Sequence, residues 1–106
     1  MITESRLEKA LTFIAHSDEE HAALKARMLK FEHAAKKTKA AVFMASVGTV
    51  AEREASSIDS EIYDNAMNEY FDAVRDFNAL NNKRDLEFVV IECFRTLEAS
   101  RRQGNI

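Results

Sequence analysis

Proline is absent from this 106-residue chain, and glycine occurs only at positions 48 and 104. A sheet protein of that length needs several tight turns, and such turns draw on Gly, Pro and Asn-Gly pairs. The scarcity of turn formers excludes all-β and α/β folds. What remains is an all-α chain with few reversals. Large aliphatic residues and Phe make up about a quarter of the sequence, above the level of a disordered chain. Alanine supplies 16 of the apolar residues, so the chain is rich in small helix formers.

Gly48 lies near the midpoint, and both sides of it carry helical periodicity. Before it, Leu24, Met28, Phe31, Ala35, Thr38, Val42 and Ala45 recur at alternating steps of four and three, a coiled-coil-like heptad seam. The same register runs back through His21, Ser17, Ile14 and Ala10, so the seam turns polar around residues 16–21. Ser17 followed by Glu20 fits a capping box. Two readings therefore stand for the first arm: one helix over 4–46, or a break near residue 17, which the capping pattern favours.

After Gly48, Thr49 and Glu52 form a second capping-box pattern, with Val47 placed for a hydrophobic staple. The second arm, 50–102, shows Ala51, Ala55, Ile58, Ile62, Ala66, Tyr70, Ala73, Phe77, Leu80, Phe88, Ile91 and Phe94. The three-four spacing lapses between Leu80 and Phe88, where Asn81, Asn82, Lys83 and Arg84 intervene, so a kink near Asn82 is an open alternative. Gly104 closes the arm. The expectation is a single antiparallel helical-hairpin domain over 1–106, with its bend at 47–49.

Charge supports the reversal. Residues 25–39 hold six bases against the single acid Glu32, and reflection about Gly48 sets them opposite Asp59, Glu61, Asp64 and Glu69. Exposed pairs contribute only about 0–1 kcal/mol each, so charge selects the register and apolar seams supply the stability. One shared seam scarcely offsets the ordering entropy of so many residues. Phe13, Phe43, Phe71 and Val89–Val90 lie outside it. The chain is therefore expected to self-associate as a dimer or tetramer, with Phe31, Phe71, Phe77, Phe88, Ile91 and Phe94 as interface residues.

Other features bound the function classes. No run approaches 18 apolar residues, so no transmembrane helix is expected. The first residues lack the basic-then-apolar order of a signal peptide. A single cysteine, Cys93, permits no intrachain disulfide and suits a reducing cytoplasm; a small buried apolar role is expected of it. Met28, Met44 and Met67 are expected as core fillers. The net charge of −3 argues against a dedicated duplex-DNA binder.

The block Thr49-Val-Ala-Glu-Arg-Glu-Ala55, then Tyr63, then Glu92 to Arg102 with Phe94, Arg95, Ala99 and Arg101, resembles a group of small phage and prophage proteins. Those carry a Glu-Arg-Glu-Ala block after a bend and end in aromatic-Arg-x-x-x-Ala-x-Arg. Phe94 departs from the Trp more usual there. The resemblance covers the last 60 residues or so, and implies a cytoplasmic accessory role beside phage or host proteins of DNA recombination or replication.

Three site readings compete. His16, Asp18, Glu20 and His21 have spacings that suit a metal, but the second arm has no histidine to complete a bundle site, so neither metal nor cofactor is expected. Glu61-x-x-Asp64 and Glu69-x-x-Asp72 are similar to the Mg²⁺-binding pairs of all-α nucleotide pyrophosphatases. Both pairs share one helix here, whereas that family divides them between two, so no catalysis is expected. The strongest alternative to a scaffold is nucleic-acid binding by Lys30, Lys36, Lys37, Lys39, Arg101 and Arg102, with Tyr63, Tyr70 and Phe71 able to stack on bases where exposed.

Overall fold

A computed structural model describes residues 2–104, which form three helices and, among the described residues, no strand. These are α1 (Glu4–Ala45), α2 (Val50–Ile58) and α3 (Glu61–Arg102). The all-α antiparallel hairpin is the observed fold.

The reversal lies where the glycine placed it. Ser46 Oγ donates to Val42 O at 2.7 Å as α1 ends. Gly48 then takes φ +114°, the left-handed region that a side chain resists. Thr49 follows as the N-cap of α2, its hydroxyl accepting from Glu52 N at 3.2 Å. The Glu52 side chain folds back over Gly48, in the space a Cβ there would occupy. The expected staple does not form, since Val47 is 89% exposed. Arg53 does that work instead: its Nε donates to Phe43 O at 3.2 Å and its guanidinium lies 4.4 Å from the Phe43 ring.

Three local expectations are corrected. First, α1 is unbroken at Ser17, because that hydroxyl donates to Phe13 O at 2.6 Å within the helix and so does not cap a new one. Second, α3 continues unbroken through Asn82. Third, the second arm does break, at Asp59–Ser60. Asp59 N donates to Ala55 O at 3.0 Å to end α2, and Ser60 Oγ accepts from Tyr63 N at 3.1 Å to start α3. Ser57, fully buried, has its hydroxyl satisfied by Glu54 O at 2.8 Å. This step resets the helical register. Ile58 and Ile62, expected on the seam, are 52% and 64% exposed, and the half-buried series on α3 begins at Tyr63.

The chain divides into two compact units. One, the turn unit, is Ala23–Phe77. In it, α1 turns Leu24, Met28, Phe31, Ala35, Thr38 and Val42 inward, the expected heptad series, and α3 supplies Tyr63, Ala66, Tyr70, Ala73 and Phe77. Of these seam residues only Ala35, 3% exposed, and Ala73, 0% exposed, are fully sequestered. Small side chains at those points let the helices approach closely. Ala45, expected on the seam, and Met44, expected in the core, are both exposed. The facing charges are shifted as well. Arg27 meets Asp76 at 2.9 Å, one heptad beyond Glu69, and Lys39 meets Glu54 at 2.9 Å. The residues of α2 and its break lengthen the reversal, so reflection about Gly48 alone misplaces the partners.

The other, the terminal unit, comprises Met1–Ala22 and Asn78–Ile106. From α1 come Leu7, Ala10, Ile14, Ser17 and His21, with Ala10 fully buried. From α3 come Leu80, Arg84, Glu87, Ile91, Phe94 and Glu98, an unbroken three-four series. The lapse between Leu80 and Phe88 is therefore no gap: Arg84 and Glu87 hold the seam positions, and Phe88 is displaced to a 46% exposed flank.

Arg84, only 7% exposed, donates to Ser17 Oγ at 2.7 Å and Ile14 O at 2.9 Å, and it reaches Asp18 Oδ1 at 3.3 Å. His21 Nε2 stands 2.9 Å from Asn81 Oδ1. At the end of the series Arg6 grips Glu87 with two hydrogen bonds, 2.7 and 2.9 Å. Those bonds, then simple attraction, hold the Glu87 carboxyl below its ordinary value and raise Arg6 above its own. The polar stretch of α1 at residues 16–21 thus meets the polar stretch of α3 at 81–84, two sequence irregularities that satisfy each other.

Candidate functional site

Two surface features stand out once the seams are assigned, one in each unit. The first follows from α3 having more apolar side chains than one seam can use. Leu86, Val89 and Cys93, three and four residues apart, form a stripe turned away from the Arg84–Glu87–Ile91 seam. Leu86 is 59% and Val89 57% exposed, and Cys93 is exposed, not buried as expected. Beside the stripe, Phe88, Val89, Glu92, Cys93, Thr96 and Leu97 line an apolar depression of about 500 Å³.

The interface residues expected from sequence distribute differently. Phe31, Phe77, Ile91 and Phe94 are half-buried on the seams, where they face the other helix of their own chain. Phe71 and Phe88 remain exposed, at 56% and 46%. Sequence reasoning placed Val89 outside the seam but did not name it an interface residue, and it missed Leu86 altogether. Their signal was present, as a second three-four series on one helix, but assigning it requires knowing which series the first arm covers.

The second feature is a cleft of about 360 Å³ in the turn unit, lined by Glu32, Ala35, Lys36, Lys39, Tyr63, Met67 and Tyr70. It exists because Ala35 is small: α1 passes with little bulk at that level, and the two tyrosines of α3, one heptad apart, stand on either side of Met67. Lys36 pairs with Glu32 at 3.4 Å along α1, and Lys39 with Glu54 at 2.9 Å. The hydrogen bond to Glu54, followed by attraction to it and a smaller contribution from Tyr63, keeps the Lys39 ammonium charged above its ordinary range. Phe71 adjoins the cleft, its ring 5.7 Å from that of Tyr70.

Of the six basic residues expected to contact nucleic acid, the structure gathers Lys36 and Lys39 at this cleft. Lys30 and Lys37 lie exposed on α1 outside its lining. Arg101 and Arg102 are exposed at the end of α3, in the terminal unit, where Arg101 pairs with Glu98 at 2.9 Å.

The remaining candidates are occupied structurally or stand in the open. Asp18 and His21, half of the sequence-level metal constellation, are engaged by Arg84 and Asn81. Among the described residues no group of three or more His, Cys, Asp or Glu is placed to hold a metal ion. Glu61, Asp64, Glu69 and Asp72 are exposed on α3, with Asp72 3.6 Å from Arg75. Among the described residues no helix is long and apolar enough to cross a membrane.

No protein-family model, curated protein or solved structure matches this chain.

Proposed function

We propose that the chain is a self-associating helical scaffold without catalysis of its own, and that a second copy covers the Leu86–Val89–Cys93 stripe. One observation carries the reading. The buried apolar core consists of Ala10, Ala35 and Ala73, while Leu11, Leu29, Val50, Ile62, Phe71, Leu86 and Val89 are each at least half exposed. The large seam side chains such as Leu24, Phe31, Phe77 and Ile91 are only half-buried, and each large side chain left in water forgoes about 1.5–3 kcal/mol of burial.

Area sets the scale of the remedy. The chain exposes 7626 Å², whereas a folded monomer of 12.0 kDa exposes about 6,000 Å². The excess, of order 1,600 Å² per chain, exceeds the roughly 800 Å² per partner that a standard stable interface buries. A second copy suits that need because it is present wherever the chain is and brings the same apolar stripe to a two-fold contact. The resemblance to phage proteins adds a setting, an accessory part in DNA recombination or replication.

The test is light scattering coupled to size exclusion on the wild-type chain and on Leu86→Lys with Val89→Glu. Wild type elutes as a dimer or higher multiple and the variant as a smaller species that keeps its helical signal. A wild-type monomer, or a variant of unchanged mass, contradicts the reading.

A further inference from the structure

The tyrosine–lysine cleft carries an assignment independent of self-association. We propose that it is a binding site for single-stranded nucleic acid, with a base against Tyr70 and the adjoining phosphates on Lys36 and Lys39.

The chemistry of the lining selects the ligand class. Tyr63, Tyr70 and Met67 of α3 line one side of the cleft, and Lys36 and Lys39, one helical turn apart on α1, line the other. An aromatic ring joined to an anion satisfies both walls at once, and a nucleotide is such a molecule. The cleft, at about 360 Å³, falls at the small end of ligand sites. That admits one base-bearing unit and leaves the rest of a strand on the surface. Phe71, exposed beside Tyr70, extends the stacking surface to a second base.

The existing ion pairs do not close the site. Lys36 is 76% and Glu54 49% exposed at their side chains, and the Lys36–Glu32 pair is long at 3.4 Å. Pairs of that kind contribute about 0–1 kcal/mol, so a phosphate bridging both ammonium groups competes with them readily. Glu32 lies in the lining as well, and it biases the site toward few phosphates and strong stacking. Duplex nucleic acid fits poorly, since its bases are already stacked and its affinity comes from many phosphate contacts, which a chain of net charge −3 does not offer.

Tyr63 and Tyr70 are the only tyrosines, and there is no tryptophan. Intrinsic tyrosine emission therefore reports on this cleft alone. At low salt, titrating the protein with a short oligothymidylate is expected to quench that emission, to weaken severalfold when salt is raised, and to be at least tenfold weaker for Lys36→Gln with Lys39→Gln. Tyr70→Leu keeps apolar bulk at the position and is expected to weaken binding of a labelled oligonucleotide, read by anisotropy, with helical content unchanged. Thymidine monophosphate and a duplex of the same length are expected to bind much more weakly than the strand. No quenching, equal binding of monophosphate or duplex, or strand binding unaffected by the lysine and tyrosine changes overturns the assignment.

Discussion

The two units solve the same problem, pairing α1 with α3, by opposite means. In the turn unit the seam is apolar, with Ala35 and Ala73 at its tightest points, and the cross-helix ion pairs Arg27–Asp76 and Lys39–Glu54 sit at its solvent edge. In the terminal unit a polar layer interrupts the apolar seam of Ala10, Ile14, Leu80 and Ile91, with Ser17 and Arg84 buried, His21 against Asn81 and Arg6 gripping Glu87. An apolar heptad face tolerates a slip of one repeat, because one Leu or Ala position resembles the next. A buried guanidinium that must find Ser17 Oγ, Ile14 O and Asp18 together does not. We read the turn unit's apolar seam as the cohesion the chain supplies within itself, to which a second copy adds, with Gly48 fixing its reversal, and the terminal unit's polar layer as the device that fixes register.

This contrast can be broken from either side. The largest effect is expected from Ala73→Asp, which puts an uncompensated charge at a fully buried point of the apolar seam; a loss of about 3–5 kcal/mol is expected, measured by urea unfolding. Next comes Arg84→Ala, which removes the buried donor to Ser17 Oγ and Ile14 O and is expected to cost about 1–3 kcal/mol. Arg84→Met sharpens the point. It keeps the stem, so stability should recover largely, while register specificity, read by exchange broadening of amide signals from residues 78–100, should not. Smaller is Gly48→Ala, at somewhat more than about 1 kcal/mol, since alanine must enter φ +114° against the Glu52 side chain.

The smallest effect is one of pH. Glu87 and Asp76 are held below the ordinary carboxylate value chiefly by hydrogen bonds from Arg6 and Arg27. A group depressed in the folded state contributes stability that is present above its unfolded value, about 4 for carboxylates, and is lost as pH falls through the folded value. Thermal melts should therefore be flat from neutrality to about pH 5 and decline below. Glu87→Gln should shallow that decline, and an identical slope in the variant would remove the Arg6–Glu87 pair from the account.

Much of this fold was legible in the chain. Absent prolines, one central glycine and the Leu24–Val42 spacing specify two long helices and their reversal, because each is a local or periodic signal. The break at Asp59–Ser60 was overlooked although Ser56, Ser57, Asp59 and Ser60 are all cap formers, since apolar spacing on either side runs through it. Arg84 was read as part of an interruption, with Asn81, Asn82 and Lys83, and Glu87 was not placed on the seam, because long-range pairing with Ser17 and Arg6 has no local signature. For the surface, Lys36, Lys39 and the tyrosines were separately visible. Their convergence at one cleft depends on the register of the helix pair, which the reflection about Gly48 misjudged, by a full heptad at Arg27.

Cohesion borrowed from a second copy is the central claim, and sedimentation equilibrium of the wild-type chain at micromolar concentration tests it most directly. A mass that is a multiple of 12.0 kDa and a melting temperature that rises with protein concentration are expected. A folded species of single-chain mass, unfolding cooperatively at a temperature independent of concentration, would contradict that claim.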